Sequence, residues 1–335
     1  MCYKLLSLRI EQYISDYEEK WDKFVLCDSV NGTFLQTRNF LNYHPKDRFK
    51  DNSLIIFKGS NTIIAVIPAC IIYEGKEKIL YSHIGSTFGG IIINRSFNNI
   101  EHVDSIIKVL NNYLKENYYN KVILKNTSNL FSNGNVNLID YFLFKDGYLS
   151  YDEISFYINF KEYKEDILLN FTASRRRDYK YSIKNNLEFK KLTTVNELKL
   201  LYNILCDNLK KFDSKPVHTL EELIDFKENR LNDIVDFYGV YKGDILIAGS
   251  MVFKFGRKVF HTQYLAADQN YLYLYSMNFL NTNLIKIAKV EGFEYFSFGI
   301  STESHGKILN YNLAEFKEGF GTTYSLNKTF YKKFR

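Results

Sequence analysis

Two histidines, an arginine triplet and one glycine-rich turn are the residues here whose types and settings could do chemistry. His261 opens the β-rich run His261-Thr262-Gln263-Tyr264-Leu265-Ala266-Ala267, and His83 heads His83-Ile84-Gly85-Ser86-Thr87-Phe88-Gly89-Gly90. An imidazole titrates near neutral pH and can move a proton at a reacting group. The competing reading of His261 is a strand histidine tied to a neighbour by a hydrogen bond. Glycines let a ligand approach the backbone, yet an ordinary β-turn would carry them too. The turn is no P-loop, because the closing Gly-Lys-Ser/Thr is missing. Arg175-Arg176-Arg177 precede Asp178 and Tyr179. Guanidinium forks suit phosphate oxygens, while a solvated helix face would look the same. No metal site is expected: the six histidines show no HxxxH-like pairing, and Cys2, Cys27, Cys70 and Cys206 contain no CxxC pair.

The elements that must position these residues repeat. In the first half Ile56-Phe57-Lys58-Gly59-Ser60 runs into Asn61 to Ala69; in the second Val240-Tyr241-Lys242-Gly243-Asp244 runs into Ile245 to Val252. Each reads as a hairpin turning at Lys-Gly. A strand follows each, Ile79 to Ile84 and Val259 to Leu265. Next comes a helix face, Val103, Ile106, Ile107, Leu110 and Leu114, or Met277, Leu280, Leu284, Ile287 and Ala288. These spacings of three and four line one side of a helix. Val122 to Leu124 and Tyr295 to Phe298 are the next strands, with Gly292 as a helix stop. A further helix is expected from about Val195 to Lys210, and a strand from Ile154 to Phe160. The matched order points to a duplication.

The expected architecture is therefore α/β (α+β), with mixed, mostly antiparallel sheets and flanking helices. The expected domains are residues 1–152 and 153–335, with the last strand packing back on the first. A chain of 335 residues with 46% hydrophobic side chains suits two domains of ordinary size. The net charge of +6 fits an anionic ligand without requiring nucleic acid. Unpaired thiols, the absence of a long apolar core in Met1 to Gln12, and the lack of any apolar run of about 18 residues predict a cytoplasmic protein with no membrane span.

The second half resembles a known family. His261 to Ala267, then Phe296-Ser297-Phe298-Gly299-Ile300-Ser301-Thr302-Glu303, Gly306-Lys307-Ile308-Leu309-Asn310 and Phe316-Lys317-Glu318-Gly319-Phe320-Gly321 are similar to the acyltransferase domain of FemAB-like tandem GNAT proteins. Trp21, Gly32-Thr33-Phe34-Leu35-Gln36 and Ser174 to Arg177 fall where further matches are expected. The resemblance implies two GNAT domains and direct acyl transfer to an amine. One branch uses acyl-coenzyme A (acetyl, or larger such as 3-hydroxybutanoyl) to acylate amino sugars on dTDP or UDP for surface polysaccharide. Another moves amino acids from aminoacyl-tRNA to peptidoglycan precursors; without a long helical hairpin and with modest charge, nucleic acid is not the expected partner. A non-catalytic binding module stays open.

The resemblance also distributes roles. Pantetheine would lie between two splayed strands along Leu265, Ala266 and Ala267, with phosphates near Asn270, Tyr271, Leu272 and Tyr273 at a helix start. The family's loop glycines are missing between Gln269 and Ser276. His261 is the first candidate base and His83 the second. Glu303 could reach the same cleft, its alternative being a solvated cap. Asn310 and Tyr311 lie where such enzymes place a group beside the sulfur, with a surface tyrosine as the alternative. The acceptor is expected at Ser86, Thr87, Phe88 and Gly89, with its diphosphate on Arg175, Arg176 and Tyr179. Gln36, Arg38 and His44 would line the cleft.

Overall fold

A computed structural model of the chain describes residues 8–45, 47–210 and 213–334. Cys2 and the start of the N-terminal segment lie outside them. The chain divides into two compact units, Met1–Glu153 with Leu326–Arg335, and Ile154–Ser325. The changes of unit fall inside the strands Leu149–Asn159 and Thr323–Lys333.

In the first unit, Leu8–Gln12, Leu54–Lys58, Thr62–Ile67 and Ile92–Ile93 form an antiparallel sheet in that order. Gly59 takes φ +64°, the left-handed turn the Lys-Gly pair predicts. Leu54 and Ile56 enter one apolar cluster; Ile55 and Phe57 enter another around Trp21 and Phe24. Both faces are covered, so the strand reads as an unbroken apolar run rather than an alternating one. A second array orders Lys50–Asp51, Cys70–Glu74, Glu77–Ser82, Lys121–Lys125 and residues 326–333. Cys70–Glu74 has no counterpart in the expected repeat. The helix Ile100–Glu116 starts on Asn99, whose Oδ1 accepts from His102 N–H, and buries Val103, Ile106, Ile107, Leu110 and Leu114.

The second unit orders Glu188–Lys191, Val235–Lys242, Ile245–Phe255, Val259–Ala267, Tyr295–Ile300 and residues 154–159. All neighbours are antiparallel except Val259–Ala267 beside Tyr295–Ile300. Gly243 at φ +58° makes the matching hairpin turn. The helix Val195–Lys210 buries Leu198, Leu201 and Leu205; the carboxylate of Glu197 accepts from Thr193 and Thr194 N–H at its start. The helix Ser276–Val290 sets Leu280, Leu284 and Ala288 in the core and ends before Gly292, at φ +77°. The helix Ala173–Lys184, which the pattern did not delimit, carries the arginines and packs on Ser276–Val290.

Candidate active site

The second unit has a parallel strand pair that comes apart. Val259–Ala267 meets Tyr295–Ile300 only at Val259↔Tyr295, Phe260↔Phe296 and His261↔Ser297. Beyond His261 it pairs only with Ile245–Phe255. Each strand slips register on its other side at this point. Met251 faces Tyr264 but Val252 faces Thr262, which leaves Gln263 extra; Ser297 faces Tyr157 but Gly299 faces Phe156, which leaves Phe298 extra. A bulge bends and twists its strand, so paired bulges next to the last shared residue supply the physical cause of the divergence. Ser297 stands at the fork. Its Oγ lies 3.1 Å from His261 Nδ1 and accepts from Gly299 N–H at 3.2 Å; its carbonyl accepts from Thr262 Oγ1 at 3.2 Å. Gly299 is needed as glycine: φ is +70°, and a Cβ would stand 3.2 Å from His261 Cε1.

His261 is held neutral. Burial is the larger cause and the Lys317 charge the second, and together they lower its pKa to about 4. Lys317 carries no role in the sequence reading. It is 3% exposed, on the helix Tyr311–Glu318, with Ala314 one turn before it on the same buried face. Its Nζ donates to the carbonyls of Gly299 (3.1 Å) and Ile300 (2.6 Å), and burial lowers its pKa to about 7. An ammonium has three donors, so the charged form keeps one N–H for a ligand. Ser155, Ser301 and Thr302, on the neighbouring strand positions, bury hydroxyls that have no hydrogen-bond partner. The fork thus joins a neutral imidazole, a lysine able to change charge near neutrality, and unspent polar groups. That set is suited to a reaction that moves a proton while negative charge develops on an oxygen.

The expected donor-side residues divide. Leu265, Ala266 and Ala267 do lie on the diverging half of the strand. Most of the stretch where the helix is expected to open, near Asn270 to Tyr275, is a 3-10 turn, Gln269–Leu274, capped by Asp268 through Asn270 N–H; Tyr271, Leu272 and Tyr273 belong to it. The α-helix starts at Ser276, after Tyr275 in the left-handed region at φ +55°. Tyr275 thus makes the turn that glycine makes more cheaply. Arg175 belongs here too: its Nη1 donates to Asn278 Oδ1 at 2.9 Å, its guanidinium lies 4.6 Å from the Phe316 ring, and its buried Nε is unpartnered. Ser276 Oγ, also buried, is unpartnered as well. Arg176 donates to the Phe171 carbonyl and Tyr179 Oη accepts from Lys286 at 2.8 Å, so both serve packing. Asn310 spends its side chain capping Leu313 N–H, while Glu303 and Tyr311 are exposed.

In the first unit the equivalent parallel pair stays joined through Ser82↔Leu124, and the glycine-rich segment closes over its end. Gly89 N–H donates to the Lys125 carbonyl at 2.8 Å. A Cβ on Gly89 would stand 2.4 Å from His83 N, so this glycine admits the chain's own backbone, not a ligand. Phe88 packs 5.0 Å from Phe131 and Ser86 is buried; Thr87 is exposed. His83 and His44 do come together, with ring centroids 6.1 Å apart, and burial lowers the His83 pKa to about 3. Gln36 is fully buried, accepting from Thr33 N–H at 2.8 Å and donating to Thr127 Oγ1 at 2.8 Å. Arg38 is 2% exposed, paired with Asp51 at 2.5 Å and stacked 3.5 Å from the Tyr13 ring. Gln36 is spent on packing the unit, whereas Arg38 keeps two buried guanidinium nitrogens, Nε and Nη2, without a hydrogen-bond partner.

The chain matches no protein-family model and no curated sequence. Its fold is shared with solved structures. FemX superposes with a TM-score of 0.69 at 12% identity over 97% of both chains. The tandem GNAT protein of the clavulanic acid biosynthesis pathway gives 0.57 at 7% identity, over 97% of this chain and 98% of that one. The C-terminal domain of a putative lysylphosphatidylglycerol synthetase from Agrobacterium fabrum gives 0.57 at 10%, over 81% and 82%. The chain therefore has a FemAB-like, tandem GNAT fold. Among the described residues no helix is long and apolar enough to cross a membrane.

Proposed function

We propose that the chain is an N-acyltransferase that joins an activated acyl group to a primary amine at the fork beside His261. The observation that carries this reading is the parting of Val259–Ala267 from Tyr295–Ile300 after His261, which frees strand backbone for an extended donor arm. The donor is acyl-coenzyme A, acetyl or a hydroxyacyl such as 3-hydroxybutanoyl. Arg175 and the start of Ser276–Val290, with unpartnered Arg175 Nε and Ser276 Oγ, suit its diphosphate. The acceptor is a dTDP- or UDP-linked amino sugar of surface polysaccharide, a 3-amino-3,6-dideoxyhexose being the specific candidate.

The reaction needs a neutral amine, a stabilised oxyanion and a protonated leaving thiolate. His261, whose Nδ1 lies 3.1 Å from Ser297 Oγ, takes up the proton that the amine sheds. Lys317, held by two carbonyls, directs its remaining N–H at the carbonyl oxygen as it becomes negative. The neutral amine attacks the thioester carbon and forms the C–N bond; the adduct nitrogen loses its extra proton to solvent, the C–S bond breaks as C=O re-forms, and the proton on His261 passes to sulfur.

A second reading, transfer from aminoacyl-tRNA to a peptidoglycan precursor, is favoured by the glycine-free loop, where Tyr275 rather than glycine bears the left-handed turn. In that case the C–O bond of an ester breaks instead. Purified protein incubated with acyl-coenzyme A and amino sugar nucleotides, with free thiol followed, decides between them. Thiol release coupled to loss of the sugar amine supports the first reading. Inertness there, with discharge of aminoacyl-tRNA, transfers support to the second.

A further inference from the structure

The helix Ala173–Lys184 turns Asp178, Tyr179 and Ser182 inward and leaves Arg177, Lys180, Tyr181 and Lys184 on its outer face, at the spacings of one helix stripe. Tyr181 is 46% exposed. Its ring stacks on Tyr275, with centroids 5.9 Å apart and planes 23° from parallel. Lys184 Nζ sits 5.7 Å from the Tyr181 ring. Asn185 ties the two segments together, donating to the carbonyls of Tyr181 (3.0 Å) and Leu274 (3.5 Å). Tyr273, 71% exposed, stands in the same turn as Tyr275. Tyr275 is the non-glycine residue in the left-handed region immediately before Ser276. The strain sits beside the proposed donor site, and a stacked ring is what the strained residue contributes. The one acid of that turn, Asp268, is engaged by Asn270 N–H.

We infer that Tyr181 and Tyr275, flanked by Tyr273, Lys180 and Lys184, are the platform for the adenosine nucleotide of the acyl donor. The inference rests on the proposed transferase reading. Flat aromatic faces take bases by stacking, and cations set around them hold the attached phosphates. Arg175, on the inner face of the same helix, sets a further cation beside the start of Ser276–Val290 through Asn278. An adenosine phosphate ends both candidate donors: 3′-phosphoadenosine in coenzyme A, and the terminal adenosine of a charged tRNA.

The test is calorimetric titration of the full chain with adenosine 3′,5′-bisphosphate and, separately, with a short RNA ending in CCA. Wild type is expected to bind at least one. Tyr181→Ala is expected to weaken that binding by about fivefold to a hundredfold, the effect of one lost base stack, while Tyr181→Phe restores it. Preference for the bisphosphate identifies coenzyme A as the source; preference for the RNA identifies tRNA. Because Tyr181 lies on the surface, circular dichroism should show both variants folded. No binding of either probe to wild type, or equal binding by wild type and Tyr181→Ala, overturns the platform. If no donor supports transfer yet probe binding still depends on Tyr181, the transferase reading falls and the platform stands.

Discussion

In the proposed transfer Lys317 is the oxyanion donor. Its folded pKa, about 7, lies below the ordinary 10.5. Between those values the unfolded chain binds more protons, so this lysine makes stability rise with pH through that window, and below about pH 7 its penalty is present in full. Lys317→Met should therefore leave the melting temperature at pH 6 unchanged or higher, while the transfer rate falls about a hundredfold or more, as loss of an oxyanion donor does. A thermal melt and a turnover assay on the same sample check this; normal turnover would remove Lys317 from the mechanism. If the charged form acts, the rate should decline above about pH 7. Lys317→Arg, which cannot lose its proton, should shift that decline upward at a reduced rate. The sequence made His261 visible because histidine is a recognised proton carrier. Lys317 was hidden because a lysine in a charged stretch reads as surface. The signal available was Ala314, three residues earlier, which puts Lys317 on the buried face of its helix.

Elements were legible where period and turn chemistry agreed. The Lys-Gly hairpins, the helix Ile100–Glu116 and the bounds Val195–Lys210 all follow from apolar spacing and a turn or cap residue. The divergence after His261 followed only from family resemblance, since a bulge leaves no period in the sequence to read. The glycine-rich turn of the first unit shows the limit most clearly. Glycines that admit a ligand and glycines that admit the chain's own backbone are spelled the same way. Packing separates them: Gly89 presses against His83 N and the Ser82 carbonyl. Gly89→Ala should cost about 1–3 kcal/mol, the usual range for overpacking a close contact. Urea midpoints would show it. Were the glycine there for a ligand, the substitution would instead raise an acceptor's KM and leave the midpoint in place.

At the scale of the whole molecule, each unit carries a histidine whose surroundings hold its pKa far below the ordinary value, the buried His83 in the first and the partly buried His261 in the second. Both folded pKa values, about 3 and about 4, lie below the ordinary 6.5. The unfolded chain therefore binds more protons as pH falls below 6.5, and stability drops until each folded pKa is reached. Each histidine contributes at most about 1.4 kcal/mol per pH unit in its window. Trp21, the only tryptophan, is fully buried in the core of the first unit and reports its unfolding. Urea titrations followed by Trp21 fluorescence should show midpoints falling from pH 6.5 to 4. His83→Gln should flatten that fall by about 1.4 kcal/mol per pH unit, since glutamine keeps a polar side chain without a titrating ring. His261→Gln reports on cooperativity: it flattens the Trp21 curve only if the two units unfold together, and leaves it unchanged if the first unfolds by itself. An acid limb indifferent to both substitutions would mean that the histidines are not what the acid attacks.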